Sequence, residues 1–171
     1  EANWLIEEFM LLANRSVAEF VATGCKGVGD APAKGRKAVK TFVYRVHDEP
    51  NQEKIENLRN FIGNFGYKMG STTNGKEISK ELNSLFAAAK DTPEYNAIEL
   101  LSLRTMAKAR YDTENLGHYG LAFKYYTHFT SPIRRYPDML VHRLLASYLE
   151  GGESARKETY DKLCKHASER E

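Results

Sequence analysis

Apolar residues recur at the spacing of an α-helix in most long segments of this 171-residue chain, and this periodicity constrains the fold more than any other feature. Leu5, Phe9 and Leu12 begin the first such pattern, which predicts a substantially buried helix over roughly residues 3–22. Further patterns predict three central helices, which read as scaffold. Their core-facing residues are expected to be Ile55, Leu58, Ile62, Phe65, Ile78, Leu82, Leu85, Phe86, Tyr95, Ile98, Leu101 and Met106.

Two stretches have the composition of β-strands. Residues 42–46 alternate in the manner of a strand, and residues 121–129 form the second candidate. Four to six helices with two or three strands predict an α+β fold that is predominantly helical. We expect the helices to pack on a small, incomplete sheet, which strands upstream in a longer parent protein complete.

The composition limits the classes of function. With 42% hydrophobic and 28% charged residues, the chain has the composition of a globular protein and is long enough for one domain or most of one. The net charge is only +2, so any contact with nucleic acid must come from local patches. Cys25 and Cys164 lie far apart without metal-ligand spacing, which predicts reduced thiols in a cytoplasmic protein. No apolar run approaches the roughly 18 residues of a membrane span, so no membrane partner is expected.

The most distinctive stretch is residues 125–143, YYTHFTSPIRRYPDMLVHR. Ser131 suits a helix N-cap and Pro132 a first helical residue, so free backbone N–H groups are predicted to point outward there. An arginine one turn further on can hold the same phosphate through two N–H groups. An ordinary helix start with solvated charges is the alternative that this pattern leaves open.

Pro137 is awkward inside the helix that follows, because proline lacks a backbone donor. The helix is expected to kink there or to restart at Pro137, and Gly151-Gly152 to stop it. Asp138 and His142 are four residues apart, so they can pair on one face. None of the five histidines has metal-ligand spacing, which favours structural or hydrogen-bonding roles for them.

Two further segments are charged. Residues 23–41 are rich in glycine and lysine, which predicts a mobile basic loop that either touches phosphates or is merely solvated. Residues 153–171 contain a final helix, predicted over 153–168, with few residues to bury, so we expect this helix to fray.

Three segments resemble one protein family. His128–Arg143, HFTSPIRRYPDMLVHR, closely resembles the signature of the RNB family, the ribonuclease II and ribonuclease R exoribonucleases. Ile6–Asn14 and Asn115–Ala122 resemble two further family segments in the same order. The resemblance identifies residues 1–171 as the C-terminal part of an RNB catalytic domain. The residues Arg134–Asp138 resemble the ribonuclease R form of this signature more than the ribonuclease II form.

The resemblance implies a processive 3′-to-5′ exoribonuclease that hydrolyses single-stranded RNA to nucleoside 5′-monophosphates with Mg²⁺. Arg134 matches the arginine that contacts phosphate in the family, and either Glu7 or Glu8 matches a glutamate near the terminal nucleotides. Thr130 and Ser131 are expected to add contacts through a hydroxyl or a backbone N–H group. The remaining candidate RNA-binding residues are Arg135, Tyr125 and His128.

The family's Mg²⁺ is held by closely spaced aspartates upstream of the position of Ile6, and no two aspartates of this chain are close in sequence. We therefore expect Mg²⁺ in the parent enzyme, no metal-binding residue here and no hydrolysis by this chain alone. The resemblance also implies that the family's flanking RNA-binding barrels lie outside this chain. The expected partners are single-stranded RNA and the remainder of the parent, and uncovered strand edges predict self-association.

Two other classes of function stay open. One is a non-catalytic RNA-binding module, in which Arg134, Arg135 and the basic loop hold phosphates while Tyr125, Tyr126 or Phe129 stacks on bases. The other is a structural or protein-interaction domain, in which replacing both arginines alters nothing beyond a surface ion pair.

Overall fold

The computed structural model describes residues 2–25, 39–70 and 75–171. Within these ranges the chain forms six α-helices and two short strands, so the predicted α+β, predominantly helical fold is confirmed. In chain order the elements are α1 (Ala2–Ala22), β1 (Tyr44–Val46), α2 (Gln52–Gly63), α3 (Gly75–Ala89), α4 (Tyr95–Thr105), β2 (Arg110–Asp112), a short 3₁₀-helix (Tyr119–Leu121), α5 (Tyr136–Leu149) and α6 (Lys157–Arg170).

The chain divides into two compact units. The signature unit comprises Glu1–His47 and Ala109–Glu171, and the helical unit comprises Asp48–Lys108. Most of the predicted basic loop, residues 26–38, lies outside the described residues. No helix among the described residues is long and apolar enough to cross a membrane.

The helical unit is built on the predicted apolar periodicity. The fully or nearly fully buried residues of its core are Ile55, Leu58, Ile62, Ile78, Leu82, Leu85, Ala89 and Ile98. Asn51 is the N-cap residue of α2, since its side-chain Oδ1 accepts a hydrogen bond from the N–H group of Glu53 at 2.9 Å. Phe65 lies beyond the end of α2 and is 43% exposed, so its predicted core position is wrong.

The sheet of the signature unit pairs β1 with β2 in antiparallel orientation, with Arg45 opposite Tyr111. The predicted strand over residues 121–129 is wrong. Its first residue ends the 3₁₀-helix, and Ala122 has a φ of +54°, a left-handed conformation that bends the chain out of a strand. Nevertheless Tyr126 lies alongside β1, since its carbonyl accepts from the N–H group of Arg45 at 3.0 Å.

Helix α1 has its predicted extent, but its predicted burial holds only for the C-terminal half. Asn14, Ala18 and Val21 are buried, and the last two pack with Phe42 and Val141 in the core of the signature unit. The first three turns instead carry large apolar side chains that are more than half exposed. These are Trp4, Leu5, Ile6, Phe9 and Leu12. Self-association of the chain stays a prediction, and this face of α1 is a surface that would promote it.

Helices α5 and α6 close the signature unit. Helix α5 ends before Gly151, which has a φ of +84°, as predicted. Helix α6 begins at Lys157, four residues later than predicted, and Cys164 on its inner face is only 2% exposed in the core of this unit. Fraying of this helix stays a prediction. The hydroxyl of Ser168 also accepts from the N–H group of Tyr111 at 2.9 Å, which ties α6 to β2.

Candidate phosphate-binding turn

Residues 131–135 form a separate turn in front of α5. The N–H groups of Arg134 and Arg135 donate to the carbonyl of Ser131 at 3.3 and 3.1 Å, and the helix begins only at Tyr136. The predicted helix start at Ser131 and Pro132 is therefore wrong, and the predicted restart at Pro137 is close to what the structure shows. Pro137 falls in the first turn of α5, where its missing N–H group leaves no hydrogen bond unmade.

Asn14 of α1 binds the backbone that leads into this turn. Its Oδ1 accepts from the N–H groups of Phe129 at 2.9 Å and Thr130 at 3.2 Å. Its Nδ2 donates to the hydroxyl of Tyr126 at 3.3 Å. Because Asn14 is only 4% exposed, water does not compete for these bonds.

Asp138 of α5 binds the next residue along. Its Oδ2 accepts from the N–H group of Ser131 at 2.9 Å and from Nη2 of Arg135 at 2.8 Å, and the carboxylate is fully buried. The N–H groups of three successive residues, 129–131, therefore all point inward. We call residues 129–131 the anchored segment. The N–H groups of Thr130 and Ser131 are consequently not free to bind an anion, contrary to the sequence-based expectation.

His142 makes a different contact from the one predicted. It does not pair with Asp138; its Nε2 donates to the carbonyl of Phe129 at 2.8 Å. The two rings also stack, with centroids 4.0 Å apart and planes 10° from parallel. His142 thus adds a third side chain that holds the anchored segment.

The two adjacent arginines have different environments. The Arg135 side chain is only 20% exposed and pairs with Asp138, whereas Arg134 is exposed. Among the residues that the structure describes, the guanidinium of Arg134 has no hydrogen bond or ion pair. Ile133 beside it is 98% exposed, which shows that the tip of the turn faces outward.

Aromatic residues pack around the chain that leads into the anchored segment. The hydroxyl of Tyr111 and Nδ1 of His128 are 2.9 Å apart, and the His128 ring packs edge-on against Tyr126. Burial, followed by the nearby charge of Arg135, lowers the pKa of His128 to about 3, so its ring is neutral at pH 7. Burial likewise raises the pKa of Tyr111 to about 12, so the phenol keeps its proton. This neutral pair suits a structural hydrogen bond.

The other predicted site residues lie away from the tip. Tyr125 is half-buried, with Nζ of Lys124 5.2 Å from its ring centre. Glu7 and Glu8 are both exposed on α1, and helical spacing puts Glu7, two turns before Asn14, on the Asn14 face. Neither glutamate has a hydrogen bond or ion pair to the turn in the described ranges.

Sequence reasoning missed Asn14 and Tyr111 as parts of this site. The signal for Asn14 was available: an amide on the inward face of an apolar helix predicts buried hydrogen bonds. No comparable signal pointed to Tyr111, which lies on β2 and meets His128 only through the fold.

The described residues offer few ligands for a metal ion. The described ranges contain no group of three or more His, Cys, Asp or Glu side chains that could hold a metal ion. A Mg²⁺ ion prefers several oxygen ligands close together, and the turn offers two arginines and a carboxylate that is already paired. The described residues therefore do not fit a Mg²⁺ site.

Comparisons with known proteins agree with the fold. The model of the RNB domain family matches residues 1–151, and the chain belongs to this family. The chain is 40% identical to Ribonuclease R of Thermotoga maritima over 177 residues, which is 99% of this chain and 23% of that protein.

Solved structures give the same result. Mycoplasma genitalium RNase R in complex with ribose-methylated single-stranded RNA superposes with a TM-score of 0.72 at 28% identity, covering 98% of this chain and 24% of that one. Yeast Ssd1, a pseudonuclease, gives 0.72 at 29% identity, covering 95% of this chain and 19% of that one. The chain thus spans about a quarter or less of the relatives it matches.

Proposed function

We propose that this chain is the phosphate-binding part of a ribonuclease R-like enzyme that degrades single-stranded RNA processively from its 3′ end to nucleoside 5′-monophosphates. In this proposal Arg134 contacts the phosphate that is cleaved. The observation that carries it is the contrast between the two arginines: Arg135 is paired with Asp138, while Arg134 is exposed on a turn held by buried side chains.

The geometry suits charge stabilisation on a phosphate. A guanidinium presents N–H groups in a planar fork that matches two phosphate oxygens. Negative charge on these oxygens changes during phosphodiester hydrolysis, and a donor held in place before the reaction stabilises it without reorganisation. The anchored segment supplies this fixed position, since its N–H groups are bound to Asn14 and Asp138.

The remaining candidates have smaller roles in this proposal. Ser131 can contact RNA only through its hydroxyl, because its N–H group is bound to Asp138. Arg135 and His128 support the turn, since Arg135 is paired with Asp138 and His128 packs against Tyr126. Tyr125 packs against the core of the signature unit and contributes to its stability. The proposal assigns no role to Glu7 or Glu8. The Mg²⁺ that the family uses would be held by residues other than the described ones, and it would supply the activated water for hydrolysis.

A single-turnover experiment tests this proposal. The full-length protein that carries this chain is incubated with 5′-labelled single-stranded RNA and Mg²⁺, as wild type, Arg134→Ala and the control Arg143→Ala. Arg143 is an exposed arginine of α5 outside the turn. Arg134→Ala should lower the cleavage rate about 10²-fold with RNA affinity nearly kept, as for removal of a transition-state donor. An unchanged rate would remove Arg134 from the reaction.

A non-catalytic RNA-binding module is the second candidate function. Its support is the similarity to yeast Ssd1, a pseudonuclease with the same fold at 29% identity. If this function is correct, the full-length protein binds RNA but releases no nucleotide. A plot of the logarithm of its RNA-binding constant against the logarithm of the salt concentration should have a slope of about −0.7 per phosphate contact. A purely structural role predicts no change in RNA binding when Arg134 and Arg135 are both replaced.

We also propose a cytoplasmic location. Cys25 and Cys164 are both free thiols in the structure. Cys164 is buried, and this burial raises its pKa to about 12, so the thiol is unreactive. Free thiols are typical of a reducing compartment.

A further inference from the structure

We propose that Asn14 and Asp138 are positioning residues for RNA hydrolysis, which together hold Arg134 in its working orientation. This inference rests on the proposed function of Arg134. It assigns the work to two side chains from different helices, α1 and α5, neither of which touches RNA. The structural basis for this proposal is that Asn14 and Asp138 together bind the N–H groups of all three residues of the anchored segment.

Asp138 binds a residue further from its helix than an ordinary capping side chain does. Asp138 is the third residue of α5, a position from which an acidic side chain normally bonds back to the N-cap residue. The N-cap here is Arg135, yet Asp138 bonds to the N–H group of Ser131, four residues earlier. The carboxylate therefore closes the whole turn that carries Arg134.

Asp138 also separates the roles of the two arginines. The same Oδ2 that accepts from Ser131 accepts from Nη2 of Arg135. Arg135 is thereby held against the turn, and Arg134, its neighbour in sequence, is left at the exposed tip. A neutral or apolar residue at position 138 would leave Arg135 without this anchor, and either arginine could then occupy the phosphate position.

Asn14 fixes the other end of the turn. One oxygen accepts two successive N–H groups, at 2.9 and 3.2 Å, while the amide nitrogen is held by Tyr126. The orientation of the amide is thus set by three partners. An apolar side chain of the same size would fill the same space but would leave the N–H groups of Phe129 and Thr130, two partly buried residues, without acceptors.

A double-mutant cycle tests the proposal in the full-length protein. Single-turnover cleavage of 5′-labelled single-stranded RNA is measured for Asp138→Asn in the wild-type and Arg134→Ala backgrounds. Asp138→Asn alone should lower the rate by about tenfold or more, since a small misplacement of a catalytic group costs up to about 10²-fold. In the Arg134→Ala background it should cause no further loss, because the group it positions is absent. The control Glu150→Gln, which removes a carboxylate at the other end of α5, should keep the wild-type rate.

A second pair of variants covers the case in which Asp138→Asn fails to fold. Asn14→Asp keeps an acceptor for the N–H groups of Phe129 and Thr130, whereas Asn14→Leu has a similar size and no acceptor. Circular dichroism selects conditions under which both are folded. Asn14→Asp should then keep more of the Arg134-dependent rate than Asn14→Leu.

The outcomes separate this inference from the proposed function. If Arg134→Ala leaves the rate unchanged, the proposed function fails and this inference fails with it. If Arg134→Ala lowers the rate but Asp138→Asn lowers it by the same factor in both backgrounds, only the positioning role is overturned. Equal rates for the two folded Asn14 variants would also overturn it.

Discussion

The signature unit and the helical unit are stabilised at their key points by different interactions. In the helical unit, three helices each bury an apolar stripe, and residues such as Ile62, Ile78 and Ile98 are fully buried. At the turn of the signature unit, no helix or strand includes residues 129–135, and the backbone is held by Asn14 and Asp138 instead.

The two kinds of interaction have different physical effects. Hydrophobic burial is non-directional, so it stabilises a scaffold without fixing the direction of a charged group. Hydrogen bonds to successive backbone N–H groups are directional, and inside a protein they are also stronger than in water. A turn that presents Arg134 in one orientation therefore requires buried polar side chains, although their burial carries a cost.

The largest effect that separates the two units is expected from Asp138→Ala. This change removes a fully buried carboxylate, which leaves the partly buried Arg135 without its anion and the N–H group of Ser131 without an acceptor. Breaking one partner of a buried ion pair typically costs about 3–5 kcal/mol. Urea unfolding should show a loss of this size, while the exposed control Glu150→Ala should stay within about 0.5 kcal/mol. A loss below about 1 kcal/mol would show that the pair does not stabilise the unit.

An intermediate effect is expected from acid. Burial lowers the pKa of His128 to about 3 and that of His118 to about 4 in the folded protein, against about 6.5 when unfolded. Below pH 6.5 the unfolded state binds protons that the folded state does not, so the free energy of unfolding falls as the pH falls. For His128 the loss between pH 7 and pH 5 is about 2 kcal/mol, and His118 adds to it in the same direction.

The pH effect can be assigned with two variants. His128→Gln should reduce the slope of stability against pH, because the residue that resists protonation is gone. His166→Gln, at an exposed position of α6, should leave the slope unchanged. Identical slopes for His128→Gln and wild type would contradict the assignment.

The smallest effect is expected from Ile98→Leu in the helical unit. Ile98 is fully buried among apolar side chains, and leucine has the same volume. Such volume-conserving changes usually cost less than about 1.5 kcal/mol, because no hydrogen bond is lost. The matched change in the signature unit, Asn14→Leu, should cost more despite its similar size, since it leaves two N–H groups unpaired. Urea unfolding of both variants gives the comparison, and equal losses would remove the distinction between the units.

The sequence predicted the helical unit well, because hydrophobic burial leaves a periodic pattern in the sequence of each helix. Its periodicity records directly which faces are buried, so Ile55, Leu82 and Ile98 were placed correctly from spacing alone. Phe65 was misplaced because α2 ends at Gly63, where the helical spacing no longer applies.

The turn was predicted less well, because its bonds join residues far apart in sequence. Asn14 forms hydrogen bonds with Tyr126, Phe129 and Thr130, which are more than 110 positions away, and no local pattern encodes such contacts. Ser131-Pro132 has the composition of a helix start, yet Pro137 provides a competing start that the structure uses. The role proposed for Arg134 comes from the resemblance to the RNB family, and the structure adds that its neighbour Arg135 is paired.

In the proposed function, Arg134 contacts the phosphate and Arg135 supports the turn. The most direct test compares single-turnover RNA cleavage by Arg134→Gln and Arg135→Gln in the full-length protein, under conditions where both are folded. We expect the rate to fall about 10²-fold for Arg134→Gln and about tenfold or less for Arg135→Gln. An equal or larger loss for Arg135→Gln would contradict it.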